Sequence, residues 1–248
     1  MTAPTVAVTG SAVVSRGLAR AADGMTPPEL LHGASQVVGW VTDAAVRACR
    51  QARLGGDTLA SAHCCFGTLY GTNHVAEYNF LVLGGPRALN PRAFTLFPPN
   101  AAVASICGEL GITGPGLTLV GMDAGVDAVE YGLRALRAGR CRIAVCGGFD
   151  WPTPFAARLL HSAGVPVSPE VGAAVALVLE NPGAARERGA TVLAELALLS
   201  DSSGTPRRPS QPTLTPAVAP LVEVATLLEA RRAAPVGRLA LTTVPGRG

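Results

Sequence analysis

Within about thirty residues the sequence sets a strand, a helix and a second strand end to end, and this run limits the fold more than any other stretch. Gly116-Leu117-Thr118-Leu119-Val120 alternates in the manner of a strand. Val126, Val129, Leu133 and Leu136 then share one helical face, and Gly139 closes the pattern. Residues 142–146 form a second apolar strand ahead of Gly147-Gly148. Two strands joined by a crossover helix run parallel, and parallel strands are covered on both faces. A layered α/β sheet follows.

The flanking segments fit that class. Residues 6–8 read as an opening strand closed by Thr9-Gly10 and resumed at residues 12–14. Over residues 35–54, Val37, Val38, Val41, Ala45, Val46 and Cys49 recur at helical spacing, with Ser35 as the N-cap and Gly55-Gly56 as the stop. Residues 61–66 make a short buried strand ending at Gly67. Residues 70–99 combine Gly, Pro and Asn with five of the eleven aromatic residues and read as an irregular excursion holding a short helix. A helix over 101–107, a strand over 173–179, a helical turn over 182–189 and a strand over 191–199 come next. Residues 200–220 carry Pro206, Pro209, Pro212, Pro216 and Pro220 and read as a linker or surface loop. A last helix begins at Leu221, and a last strand covers 238–244.

Composition narrows the function classes. Of 248 residues 48% are hydrophobic and 15% charged, which excludes a disordered, charge-driven chain. The 20 basic residues are all Arg and exceed the 17 acidic ones by only 3, and they are scattered, so no nucleic-acid stripe forms. Every long apolar stretch is broken by a charge, Pro-Gly punctuation or a polar residue, and no basic-then-apolar leader precedes Arg16; a cytoplasmic protein without a membrane span is expected. Cys49, Cys64, Cys65, Cys107, Cys141 and Cys146 lack metal-ligand spacing and read as reduced thiols in apolar segments. His63 and Cys64 alternate across a strand, which argues against a Cys/His dyad there.

Four segments, in order, resemble one family. These are Val6 through Gly10 with Val13-Val14-Ser15 and Gly17; Asn90-Pro91 through Asn100-Ala101-Ala102 with Glu109-Leu110-Gly111 and Gly114-Pro115; Gly139 through Val145 with Gly147, Gly148 and Asp150; and Leu177 through Glu180 with Ala184 through Ala190 and Ala194-Glu195-Leu196. The chain is similar to the β-ketoacyl synthases. The resemblance implies a thiolase-like layered αβαβα fold with a truncated second half. It also implies a single domain over 1–248, with an N-terminal half over 1–200, a Pro-rich linker over 201–220, and a remnant helix and strand over 221–248.

The departures bear on function. Active members place a Cys at the turn into the helix after the Gly-Pro strand; here Val120-Gly121-Met122-Asp123-Ala124-Gly125 is one residue shorter, and the nucleophile position falls on Met122 or Asp123. A thioether cannot carry an acyl group, and a carboxylate at a helix N-terminus is stabilised as an anion and so less nucleophilic. The family's two second-half histidines have no counterpart, since the four histidines are His32, His63, His74 and His161, and its Lys is missing because the chain contains none. Where the second-half helix should follow its His, the chain reads Thr215-Pro216-Ala217-Val218-Ala219-Pro220.

The chain thus resembles the ketosynthase-like partner subunits of type II polyketide and aryl-polyene systems, the chain-length factors or ketosynthase β subunits. That resemblance implies a non-catalytic subunit without cofactor or metal. Its partners would be an active ketosynthase and, through the complex, an acyl carrier protein, and it would help shape the acyl tunnel. Asp123 reads either as a polar group facing the partner's pocket or as a helix N-cap. Candidates for a tunnel or dimer seam are His74, Phe94, Phe97 and Asn100, with an exposed loop for His74 and core packing for the two Phe as the alternatives. An enzyme with relocated chemistry, such as a malonyl-carrier-protein decarboxylase or an acyltransferase using Asp123 with His74 or His161, stands as the second reading, and a homodimeric scaffold as the third.

Overall fold

The computed structural model describes residues 5–17, 25–83, 90–200, 214–230 and 237–243. In chain order the elements are β1 (Val6–Gly17), α1 (Pro27–Gln51), α2 (Asp57–Ala60), β2 (His63–Thr68), α3 (His74–Leu83), α4 (Pro91–Leu96) and α5 (Ala101–Leu110). There follow β3 (Gly116–Val120), α6 (Ala124–Arg137), β4 (Ile143–Asp150), α7 (Pro154–Ser162), β5 (Val171–Glu180), α8 (Pro182–Glu187), β6 (Ala194–Ser200), α9 (Ala219–Ala230) and β7 (Gly237–Thr243). The strands make one sheet in the order β3-β2-β4-β5-β1-β6-β7. Strand β2 runs parallel to both β3 and β4, β5 runs antiparallel to β4 and β1, and β7 runs parallel to β6.

Every residue of β4 is buried because helices cover both sides of the sheet. On one side Val37, Val41 and Ala45 of α1 and Val103 and Ile106 of α5 pack on Cys64, Phe66, Val145 and Val178. On the other, Val129 and Leu133 of α6 and Leu221, Ala225 and Leu228 of α9 pack on Cys65, Cys146, Leu177 and Leu179. Adjacent strand residues such as Cys64 and Cys65 therefore serve opposite layers. Burying each such Leu is worth about 1.5–3 kcal/mol. The layered α/β class is thus present. Beyond β6, α9 joins the α6 layer and β7 extends the same sheet.

Several local expectations change. The strand–helix–strand run is parallel, but β3 and β4 are not neighbours: β2 lies between them and pairs with both. The start of α6 presses so closely on β2 that a Cβ on Gly67 would lie 1.9 Å from the Ala124 carbonyl oxygen, so β2 occupies the place beneath the crossover helix. Thr9-Gly10 does not end the first strand; β1 continues through it with a bulge between Val8 and Gly10. A Cβ at Gly10 would stand 2.1 Å from the Ala48 oxygen, so the glycine serves the approach of α1 rather than a turn. Thr9 Oγ1 donates to Glu180, which also accepts from Arg188 Nε at 2.8 Å.

Helix α1 starts at Pro27, before Ser35. Its cap is Thr26, whose N–H and hydroxyl both donate to Glu29 Oε2 at 2.7 Å, with proline in the first turn. Ser35 Oγ instead donates to the Leu31 carbonyl inside the helix. The aromatic-rich excursion contains two helices, α3 and α4, where one was expected. Of the expected linker, residues 201–213 lie outside the described residues. Leu214, Thr215, Ala217 and Val218 are buried, and α9 already begins at Ala219. Those residues belong to the core because they pack on the α6 layer.

The glycine contacts yield a paired prediction. Gly10→Ala lowers stability by about 1–3 kcal/mol through overpacking. Gly39→Ala, on the exposed side of α1 with nothing within 4 Å of the new methyl, raises it by about 0.4–1 kcal/mol. Urea midpoints of the two variants against the parent check both signs.

Candidate functional site

The site candidate is the turn from β3 into α6, at the carboxyl ends of the parallel strands, where open α/β sheets bind ligands. Gly121 N–H donates to the Thr68 carbonyl at 3.0 Å, which ties the turn to the end of β2. Met122 and Asp123 follow and both side chains are exposed. Asp123 occupies the N-cap position of α6, its carbonyl accepting from the Asp127 N–H at 3.0 Å, yet its carboxylate makes no cap bond. Of the two readings of Asp123, the position of a cap is filled without the cap's side-chain interaction.

The segment before α9 closes on this turn from the other side. A Cβ on Gly125 would meet the Ala217 oxygen at 2.0 Å, and one on Gly148 would meet it at 3.0 Å. Below it stands Asp150, at the end of β4 and fully enclosed. Its carboxylate accepts from Thr68 Oγ1 at 2.6 Å, from the Tyr70 N–H at 2.8 Å, from the Leu69 N–H at 3.0 Å and from Thr215 Oγ1 at 2.5 Å. Burial raises the Asp150 pKa above its ordinary value, against the pull of these four donors. Asp150 organises the floor of the site, and its role goes unseen in the sequence, where it is only the polar end of an apolar strand.

The remaining candidates disperse. His74 opens α3 and is wholly buried, in tilted contact with Trp151 at 4.9 Å and edge-on to Tyr70 at 5.6 Å. Among the described residues neither ring nitrogen has a hydrogen-bond partner, and burial pulls its pKa down to about 3, so it is neutral at physiological pH. The exposed-loop reading of His74 does not hold, because its ring turns inward against Gly33 and Trp151. Phe94 and Phe97 stand 81% and 51% exposed, so core packing does not hold for them within this chain, and Asn100 is exposed at the N-cap position of α5. His63 stacks on Tyr131 at the opening end of β2, away from the turn, and His161 closes the exposed end of α7. Beside His74, Tyr70 donates to Glu77 and lies 2.9 Å from Thr153 Oγ1, while Thr153 also donates to Glu77.

The chemistry open to the turn is limited. Asp127, one turn into α6, is raised in pKa by burial and by Asp123 and Glu130, so the helix start carries a carboxylate cluster rather than an activated nucleophile. Among the described residues no group of His, Cys, Asp or Glu is placed to hold a metal ion, and no helix is long and apolar enough to cross a membrane.

The family described as beta-ketoacyl synthase, N-terminal domain, matches residues 18–178, more than half of the chain. The tetracenomycin polyketide synthase ketoacyl synthase alpha subunit of Streptomyces glaucescens is 39% identical over 61 residues, 24% of this chain and 14% of that protein. The ishigamide ketosynthase/chain length factor superposes with a TM-score of 0.64 at 23% identity over 78% of this chain and 62% of that one. AntDE:AntF, a type II polyketide synthase acyl-carrier protein in complex with its ketosynthase, gives 0.62 at 17% identity over the same shares, 78% and 62%. The ketosynthase ApeO in complex with its chain length factor ApeC, from Xenorhabdus doucetiae, gives 0.54 at 15% over 71% and 79%. At these identities the structural likeness is one of fold, and the chain spans 62% of the length of the first two solved chains.

Asp150 gives a pH prediction. A carboxyl whose folded-state pKa lies above its unfolded value binds its proton more tightly when folded, so its contribution to stability falls as pH rises from 3.8 through the folded value and is level beyond it. Thr215→Val removes one donor, lifts the folded value further, and costs about 1.5–3 kcal/mol at neutral pH. The gap to the parent narrows as pH drops through the two folded-state values, first the variant's and then the parent's, and Thr215→Ser, which keeps the hydroxyl, shows no such gap; chemical denaturation as a function of pH reads the effect.

Proposed function

Since the chain belongs to the β-ketoacyl synthase family, we propose that it is a catalytically inactive ketosynthase-like partner subunit, a chain-length factor. In this reading it pairs with a Cys-bearing ketosynthase of a type II polyketide or aryl-polyene pathway and helps shape the acyl tunnel. The observation that carries the reading is the start of α6. The strand, turn and helix that should present a nucleophile are built, with Gly67, Gly125 and Gly148 giving the close approaches, yet the turn holds Met122 and Asp123. A thioether and an exposed carboxylate form no thioester with an acyl group.

The edge of the sheet supports the partner. Strand β3 pairs only with β2 among the described residues, and Val120, next to the turn, is 64% exposed. An unpaired edge invites a strand from another chain. A ketosynthase seated there would bring its own active site beside Met122 and Asp123. The acyl carrier protein would then reach this chain through the complex.

Co-expression with a Cys-bearing ketosynthase tests the reading. The two chains co-purify at one to one, condensation is abolished by changing the other chain's Cys, and Asp123→Ala leaves condensation intact. A chain that purifies alone and turns over malonyl carrier protein in an Asp123-dependent way overturns the reading in favour of relocated chemistry. Val120→Lys, a charge placed on the edge strand, weakens the pairing by about tenfold, or about 1.4 kcal/mol, in a titration of one chain against the other.

A further inference from the structure

The six cysteines do not share one environment. Cys49, Cys64, Cys65 and Cys146 are buried, whereas Cys107 and Cys141 are partly exposed. Burial pushes Cys49 and Cys65 up to about 12 and Cys146 well above its ordinary value, and it raises Cys141 as well. Cys107 moves the other way, held down by the hydrogen bond it shares with the Cys64 thiol. The same contact, with burial, pushes Cys64 up.

The fold sets the two thiols together. Cys64 lies on β2 directly opposite Gly116 of β3 and belongs to the apolar cluster against which Cys107 of α5 packs. A Cβ on Gly116 would stand 3.5 Å from Cys107 Sγ, so the missing side chain leaves room for that sulfur over the β2–β3 pair. Cys65 and Cys146 are also register partners, on neighbouring parallel strands, but both are wholly buried in the opposite layer, with no route for a reagent.

We propose that Cys107 and Cys64 form a reversible disulfide, Cys107 being the thiol that meets an oxidant and Cys64 the one that resolves it. The inference rests on the fold alone and stands whether or not the chain is a ketosynthase partner. A hydroperoxide is the oxidant class that suits a small, partly open thiolate. The Cys107 thiolate attacks the peroxide oxygen; an S–O bond forms, the O–O bond breaks, and the leaving oxygen takes a proton and departs as water or an alcohol. Cys107 is oxidised to a sulfenic acid and the peroxide is reduced. Cys64 then gives up its proton and attacks the Cys107 sulfur. The S–S bond forms, the S–O bond breaks, and the hydroxyl leaves with that proton as water. A dithiol reverses the bond by exchange.

The experiment treats the full chain, alone or with its partner, with hydrogen peroxide, blocks remaining thiols with N-ethylmaleimide, and maps peptides without reductant. The expected result is one cross-linked peptide pair whose fragmentation places the bond between Cys107 and Cys64 rather than Cys65, and which dithiothreitol separates. Cys107→Ser abolishes the link, and Cys64→Ala leaves Cys107 as a sulfenic acid that dimedone traps. Three results overturn the proposal: a parent chain in which Cys107 stays a sulfenic acid beside a Cys64 thiol, one in which Cys65 and Cys146 link first, and one in which no cysteine is oxidised.

Discussion

A single buried carboxylate joins the parts of this molecule that the sequence keeps far apart. Asp150 ends the central strand β4 and draws in the hydroxyl of Thr68 and two backbone N–H groups after β2, together with the hydroxyl of Thr215 ahead of α9. Moving an ion of this size out of water costs several kcal/mol, which is offset only where donors surround it. Four donors do so here. Their geometry fixes where the 214–218 segment lies, and hence how Ala217 approaches Gly125 and Gly148 at the start of α6. The site candidate and the C-terminal helix are therefore held by the same carboxylate.

The regular parts of the fold were legible in the sequence because periodicity and burial agree there. Val126, Val129, Leu133 and Leu136 marked α6, and the alternation that set His63 and Cys64 on opposite faces of the strand continues into Cys64 and Cys65, which serve different layers. The misses lie where tertiary contact overrides local signals. Gly10 looks like a turn residue, but its missing Cβ makes room for Ala48 of α1 while the strand runs on. Thr26 and Glu29 cap α1 well ahead of Ser35, since a capping box lies outside the apolar repeat that marks a helix body. Prolines suggested a surface loop up to residue 220, but Pro216 lies in the turn before α9 and Pro220 in its first turn, where a missing N–H costs nothing.

The candidate site was only partly legible. The turn at Met122 and Asp123 falls where the strand–helix boundary placed it, because the spacing of β3 and α6 leaves no other position. His74, Phe94 and Phe97 could not be placed by pattern. Whether an aromatic-rich stretch folds inward or outward depends on partners distant in sequence, and here Gly33 and Trp151 enclose His74 while the two Phe remain on the surface. Asp150 and Thr215, 65 residues apart, carry no sequence signal of their contact.

The start of α6 is held by close backbone contacts with β2 and with the segment before α9, and its turn presents a thioether and a carboxylate. The most direct measurement is intact mass spectrometry of both chains after the complex with a ketosynthase meets an acyl-carrier-protein thioester. The account predicts an acyl adduct on the ketosynthase alone. An acyl adduct on this chain would contradict it.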